Sequence, residues 1–120
     1  MIHLGALPGT PASELTLAEI EKLAVREAKL LRDAGVHGLM IENMHDTPYL
    51  RGRVGPEIVA AMTIIGRAVK ETAKLPCGVQ ILARENIGHT RVFFGINKHL
   101  KAHAEIHFIP VSQQDFRRLA

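Results

Sequence analysis

Polar side chains with proton-transfer and ligand-binding chemistry follow a short uncharged run near position 40. Residues 39–41 have the apolar character of a buried strand, and Glu42, Asn43, His45 and Asp46 come directly after it. Carboxylates and imidazoles can exchange protons near neutral pH, and an amide can hydrogen-bond a polar ligand. Because α/β proteins place their sites at the C-terminal ends of strands, this segment is predicted to form a functional site.

Two kinds of chemistry fit the same three side chains. Glu42, His45 and Asp46 are predicted to act in acid–base catalysis, and they are also a candidate ligand set for a divalent metal ion. In other interpretations Asp46 only orients His45, or Asp46 and Thr47 cap a turn. The separate alternative for Glu42 is a structural pair with a neighbouring Arg or Lys on the rim of the site. The sequence does not decide whether the protein is an enzyme.

Two further residues are predicted to contact a substrate. Asn43 has the groups to bind a substrate hydroxyl or phosphate, or to satisfy backbone groups at the end of the strand. His3 lies in the first predicted strand and faces either the site or the core, where it would be a hydrogen-bonded structural group. Residues 55–57 offer the N–H groups of a helix N-terminus to an anion, but the Glu57 carboxylate would compete for them.

The helices that position these residues have clear start and stop signals. Thr16 and Glu19 form a capping box ahead of a first helix, which Gly35 ends. Gly55 and Pro56 open a second helix that runs to about residue 74. Three- and four-residue spacing predicts the buried face of the first helix: Ile20, Leu23, Ala24, Ala28, Leu31 and Ala34.

The predicted strands alternate with these helices. They cover residues 1–7, 39–41 and 77–82, and apart from His3 they consist of uncharged, largely apolar residues. The order β-α-β-α-β with such strands is typical of a parallel sheet covered by helices, with right-handed crossovers. The fold class is therefore predicted to be α/β.

The charge balance changes near residue 84. Residues 1–83 hold nine Lys or Arg and nine Asp or Glu, whereas residues 84–120 hold six and three, which gives the whole net charge of +3. Strands at 91–94 and 106–111 and a helix at 97–105 are candidates in this tail, without caps or a periodic apolar face. We therefore treat residues 84–120 as a separate, irregular tail.

Composition narrows the partners and the compartment. The apolar fraction of 47% and the charged fraction of 22% indicate a folded domain. A lone cysteine, Cys77, favours a reducing compartment. No signal or transit peptide and no membrane-spanning run are visible, so an intracellular protein, cytoplasmic or organellar, is expected. Low charge density argues against a nucleic-acid partner and leaves a small-molecule ligand.

Four segments resemble the BtpA family, a family of TIM-barrel proteins named for a role in photosystem I biogenesis. They are MIHLGALPG, AGVHGLMIENMHDTPY, VGPEIVAAMTIIG and PCGVQILA, and all lie within residues 1–83. The resemblance implies that these residues are the first three βα units of the barrel, with Glu42, Asn43, His45 and Asp46 at its mouth. It also matches Asn86 to a family asparagine, a further candidate for substrate binding.

The resemblance implies alternatives for the function and a shortened chain. One function is binding of a small, sugar-like or phosphorylated metabolite at the C-terminal face of the barrel. The alternative is a non-catalytic factor for assembly or stability of a larger complex; oligomerisation of full-length relatives is left open. A closed barrel takes about 250 residues. Because residues 84–120 do not match the quoted pattern, a truncated or alternatively spliced form is expected.

Overall fold

The computed structural model describes residues 1–49 and 54–82 with their side chains, and residues 90–94 and 107–108 by their backbone. The elements are β1 (Ile2–His3), α1 (Leu17–Asp33), β2 (Leu39–Glu42), α2 (Pro56–Ala73), β3 (Cys77–Ile81), β4 (Thr90–Phe94) and β5 (His107–Phe108). Within these ranges the strands form one sheet in the order β1-β2-β3-β4-β5.

The strand–helix alternation predicted from the sequence is confirmed. β1 pairs in parallel with β2, and β2 pairs in parallel with β3. The later strands differ, because β4 runs antiparallel to β3 and β5 antiparallel to β4. β4 covers the candidate strand at 91–94 and begins one residue earlier, and β5 lies within the candidate strand at 106–111. The candidate helix at 97–105 lies outside the described residues. The structure is thus α/β with a three-stranded parallel sheet, and it does not by itself confirm a barrel.

Helix α1 begins and ends as its sequence signals predict. The Glu19 backbone N–H donates to Thr16 Oγ1 at 3.3 Å, and the Thr16 N–H donates to Glu19 Oε2 at 2.8 Å, which completes the capping box. At the other end Gly35 adopts a φ of 87°, which suits glycine. The Val36 N–H then donates to the Leu31 carbonyl at 3.3 Å, so a Schellman-type cap closes the helix.

The predicted buried face of α1 is only partly correct. Ile20, Ala24 and Ala28 are buried, but Leu23 is 54% exposed and Ala34 is exposed as the C-cap residue. The physical reason is the position of the helix beside β1, a two-residue strand at the edge of the sheet. The periodic apolar face is therefore wider than the surface that the described strands can cover.

Strand β1 is shorter than the predicted strand over residues 1–7. Its pairing with β2 continues only to Leu4, whose N–H donates to the Glu42 carbonyl at 2.9 Å. Three residues later the Leu7 N–H donates to the Asp46 carboxylate at 2.7 Å. The backbone leaves the sheet here because a side chain, and not a neighbouring strand, supplies the acceptor.

One row of the sheet forms the centre of the core. Ile2, Ile41 and Val79 are aligned by the strand register and pack in one buried cluster with α2 residues such as Ile65. Cys77 lies in the same cluster, and burial raises its pKa to about 11, so the thiol is protonated at neutral pH. Among the described residues, no helix combines the length and apolar character that a membrane crossing requires.

Adjacent isoleucines on α2 allow a test of this core. Ile65 is 0% exposed and Ile64 is 47% exposed. We expect Ile65→Ala to lower the free energy of unfolding by about 3 kcal/mol, because it leaves a cavity between helix and sheet. Ile64→Ala, the control, should change it by no more than about 0.5 kcal/mol. Urea denaturation followed by circular dichroism measures both, and equal losses would contradict the assigned helix orientation.

Candidate functional site

Each parallel strand brings one polar residue to its C-terminal end. The register places His3 of β1 opposite Glu42 of β2, and Glu42 opposite Gln80 of β3. The preceding residue in each strand faces the helices as part of the core. Because side chains alternate along a strand, these three polar residues form a row on the sheet face away from the helices. We call them the polar row.

The closest pair in the polar row joins an acid and an imidazole. His3 Nε2 lies 3.6 Å from Glu42 Oε2, and the two side chains are 42% and 9% exposed. Among the described residues, the Glu42 carboxylate has the His3 imidazole as its neighbour and accepts no hydrogen bond. Buried carboxylates are ordinarily hydrogen-bonded, so within the described part of the chain the Glu42 oxygens can accept further hydrogen bonds.

A chain of hydrogen bonds connects the ends of the three strands. The Leu82 N–H donates to Asn43 Oδ1 at 2.7 Å, and Asn43 Nδ2 donates to Asp46 Oδ2 at 2.8 Å. Asp46 Oδ1 in turn accepts from the Leu7 N–H at 2.7 Å. Asn43 and Asp46 are 1% and 6% exposed. This arrangement, the Asn43–Asp46 clasp, fixes the strand-end loops against one another.

His45 is held separately, by the backbone of the loop after β1. Its Nδ1 lies 2.9 Å from the Leu4 carbonyl oxygen, and the ring is exposed. A carbonyl only accepts hydrogen bonds, so Nδ1 is the donor in this contact and Nε2 is the ring nitrogen left for other partners. The described hydrogen bonds of Asp46 go to the Leu7 N–H and to Asn43 Nδ2, so the interpretation that Asp46 orients His45 stays a prediction.

The predicted metal ligands do not converge. Glu42 pairs with the His3 imidazole, His45 with the Leu4 carbonyl, and Asp46 with two donors of the clasp. Within the described ranges, no group of three or more His, Cys, Asp or Glu residues is arranged to hold a metal ion. The predicted divalent-cation site is therefore not confirmed.

A pocket of about 60 Å³ lies beside the clasp, between the loops after β1 and β2 and the start of α2. Its lining includes two acids, Asp46 and Glu57. The Glu57 carboxylate folds back to the position where a Cβ on Gly55 would stand, beside the α2 N-terminus. We call this cavity the strand-end pocket. The remaining lining residues are Gly9, Thr10, Pro11, Asn43, Pro48, Tyr49, Val54, Ile58 and Leu82.

Tyr49 reports the negative charge around this pocket. Its hydroxyl donates to the Met44 carbonyl at 2.7 Å. Burial raises the pKa of the phenol, and the charges of Glu42 and Asp46 raise it further, because both disfavour the phenolate. The site is therefore electrostatically negative where the described residues line it.

Sequence reasoning located most of these residues but not their pairing. The structure brings together Asn43 with Asp46 and His3 with Glu42. The predicted Asn86 lies outside the described residues. Gln80 and Tyr49 were missed, although alternation along β3, carried over from His3 and Glu42, would have found Gln80. No local pattern in the sequence indicates Tyr49.

Comparisons with known proteins agree with these elements. The model of the BtpA family matches residues 1–100, which extends beyond the quoted motifs. An uncharacterized mitochondrial protein of Caenorhabditis elegans is 41% identical over 92 residues, or 72% of this chain and 33% of its own length. The photosystem I biogenesis protein BtpA of Synechocystis is 32% identical over 85 residues, or 71% of this chain and 30% of its own length.

An uncharacterized protein of Archaeoglobus fulgidus aligns over more of the chain. It is 32% identical over 114 residues, which is 95% of this chain and 46% of that protein. The chain spans about a third of the length of the first curated relatives it matches. No solved structure shows a significant match.

The clasp generates a stability prediction with a matched control. In Asp46→Asn an N–H₂ group must face either the Leu7 N–H or the Asn43 amide, so one donor opposes another. We expect the free energy of unfolding in urea to fall by about 2 kcal/mol, the cost of losing a hydrogen bond to a buried charge. Asp33→Asn removes a 66% exposed carboxylate and should cost at most about 1 kcal/mol. Equal effects would argue against the clasp.

The single tyrosine of the chain provides an electrostatic test. Titration of its ultraviolet absorbance should give a pKa for Tyr49 above the ordinary value of a phenol. Glu42→Gln should lower that pKa, because it removes a negative charge that disfavours the phenolate, while burial keeps it partly raised. Glu71→Gln, at an exposed position of α2, is the control. A Tyr49 pKa insensitive to Glu42→Gln would contradict the described geometry.

Proposed function

Because the chain belongs to the BtpA family, we propose that its parallel unit is the first part of a (β/α)₈ barrel that binds a small molecule at the strand C-termini. The arrangement of strands and helices supports this proposal: three parallel strands carry both described helices on one face and the polar row on the other. In barrels of this class, residues at the C-terminal ends of strands carry the chemistry.

The observation that carries the proposal is the state of Glu42. Burying a carboxylate is costly unless hydrogen bonds or a close opposite charge compensate it. Glu42 is 7% exposed, and the described part of the chain offers it only the His3 imidazole at 3.6 Å. A buried carboxylate with so little compensation is suited to take a proton or a hydrogen bond from a ligand.

The neighbouring residues have distinct parts in this proposal. His3 is partly exposed, so it can touch a ligand and exchange a proton with Glu42. His45 presents Nε2 as a second base at the rim. Asn43 and Asp46 fix the surrounding loops through hydrogen bonds to protein groups, and both also line the strand-end pocket. For Asp46 the proposal is therefore a positioning part, and its predicted catalytic part stays a prediction.

The proposed enzyme-like chemistry is proton transfer to or from the bound ligand, with Glu42 as the general base and His3 or His45 as its partner. The Synechocystis relative is named for photosystem I biogenesis. A non-catalytic assembly role for this chain remains the competing outcome of the following test.

Ligand binding by the full chain tests the function. Unphosphorylated monosaccharides and their phosphates serve as probes, and amide shifts in two-dimensional nuclear magnetic resonance spectra measure binding. At least one probe should shift the His3 and Glu42 amides. Glu42→Gln should weaken that binding roughly 10- to 100-fold, the equivalent of one hydrogen bond to a charged group.

Glu71→Gln is again the control, because that carboxylate is exposed on α2 and bonded to Arg67. Undiminished binding to Glu42→Gln would contradict the assignment of Glu42. Failure of every probe to bind the native chain would reject small-molecule binding and favour the assembly role.

A further inference from the structure

The strand-end pocket is too small for a whole metabolite. Its volume is about 60 Å³, whereas pockets that enclose a drug-sized ligand measure roughly 300 Å³ or more. The pocket therefore has room for one terminal group of a ligand. The rest of that ligand would extend out of the pocket along the strand ends.

The charges around the pocket disfavour an anionic group. Asp46 and Glu57 line it, and none of its described lining residues is Lys or Arg. The N-terminus of α2 would otherwise attract an anion. Here the Glu57 carboxylate already lies beside N-cap Gly55, so a phosphate or carboxylate would meet a like charge at that position.

The hydrogen-bonding groups that remain are mainly acceptors. Asp46 and Glu57 contribute carboxylate oxygens, and the Tyr49 oxygen can accept because its proton is given to the Met44 carbonyl. Asn43 Nδ2 carries two protons and gives one to Asp46, which leaves one side-chain donor within the described lining. A group that both donates and accepts matches this set.

A hydroxyl group meets these requirements better than a cation does. An ammonium ion has no acceptor for the second Asn43 proton, and its charge would lose hydration against apolar walls that include Pro11, Val54 and Ile58. We propose that the strand-end pocket binds an uncharged, hydroxyl-bearing end of the ligand and rejects phosphate and carboxylate ends. This inference rests on the proposed small-molecule function and specifies its ligand class.

Four probes of similar size test the inference on the full chain: ethanol, acetate, ethylammonium and inorganic phosphate. Amide shifts of Gly9, Thr10 and Leu82, which line the pocket, measure binding. Ethanol should give saturable shifts, and acetate and phosphate should bind at least roughly tenfold more weakly, because like charges oppose them. Tighter binding of acetate, phosphate or ethylammonium than of ethanol would overturn the inference.

A substitution at an exposed position outside the clasp makes the test more specific and leaves the fold intact. Glu57 is exposed, and Glu57→Gln keeps the size of the side chain while it removes the charge. Acetate binding should then strengthen roughly tenfold, whereas ethanol binding should change far less, because the amide oxygen of Gln still accepts a hydrogen bond. Glu71→Gln, on the same helix but outside the pocket lining, should change neither. An acetate affinity unaffected by Glu57→Gln would overturn the inference.

The two proposals fail in different ways. Glu42 does not line the pocket, so Glu42→Gln should leave ethanol binding intact. If Glu42→Gln has no effect on monosaccharide binding while the probe preferences hold, the assignment of Glu42 fails and the pocket inference stands. If the preferences reverse while Glu42→Gln abolishes monosaccharide binding, the pocket inference alone fails.

Discussion

The hydrogen-bond chain from Leu82 through Asn43 and Asp46 to Leu7 fixes the geometry of the strand ends. Its three links measure 2.7, 2.8 and 2.7 Å, and the two side chains in it are almost fully buried. The outer links span 39 residues each, so local backbone geometry cannot replace them. Removing either side chain would leave a backbone N–H without its acceptor. An unsatisfied buried donor lowers stability because it has lost its hydration and gained no hydrogen bond in exchange.

The two buried carboxylates, Glu42 and Asp46, therefore differ in their hydrogen-bonding environments. Asp46 accepts two short hydrogen bonds, which compensate its lost hydration and fix its position. Glu42 lies on the other side of the strand end and has an imidazole at 3.6 Å. A carboxylate with satisfied oxygens stabilises a structure, whereas one with spare capacity can respond to a ligand. Within five residues, the chain thus carries one carboxylate that accepts two hydrogen bonds and one that accepts none from the described residues.

Much of the scaffold was predictable because its signals are local. The Thr16–Glu19 capping box, the Gly35 terminator and the Pro56 start each depend on residues within one helical turn. The polar cluster after β2 was predictable for the same reason. The length of β1 was not, because the Asp46 carboxylate competes with the sheet for the Leu7 N–H across 39 residues. The exposure of Leu23 likewise depends on the sheet edge beside α1.

The sequence alone does not predict which residues of the site contact each other, for a related reason. Glu42, His45 and Asp46 are close together in the sequence, and this proximity predicts a shared metal ion. Glu42 ends β2 and the other two lie in the loop after it, so each contacts a different residue near the start of the chain: His3, Leu4 and Leu7. Register between strands, and not spacing along one strand, decides which polar groups meet.

The contrast between the two faces of the sheet bears on the barrel interpretation. One face carries Ile2, Ile41 and Val79 against the helices, and the other carries the polar row at the same strand ends. The outer surface of an open sheet would expose such polar groups to water, yet Glu42 is 7% exposed. The polar face is covered only in part, because the His3 side chain is 42% exposed and Gln80 is half-buried. A parallel sheet with helices on one face and polar strand ends on the other is compatible with the first units of a barrel, whose sites lie at the C-terminal ends of the strands.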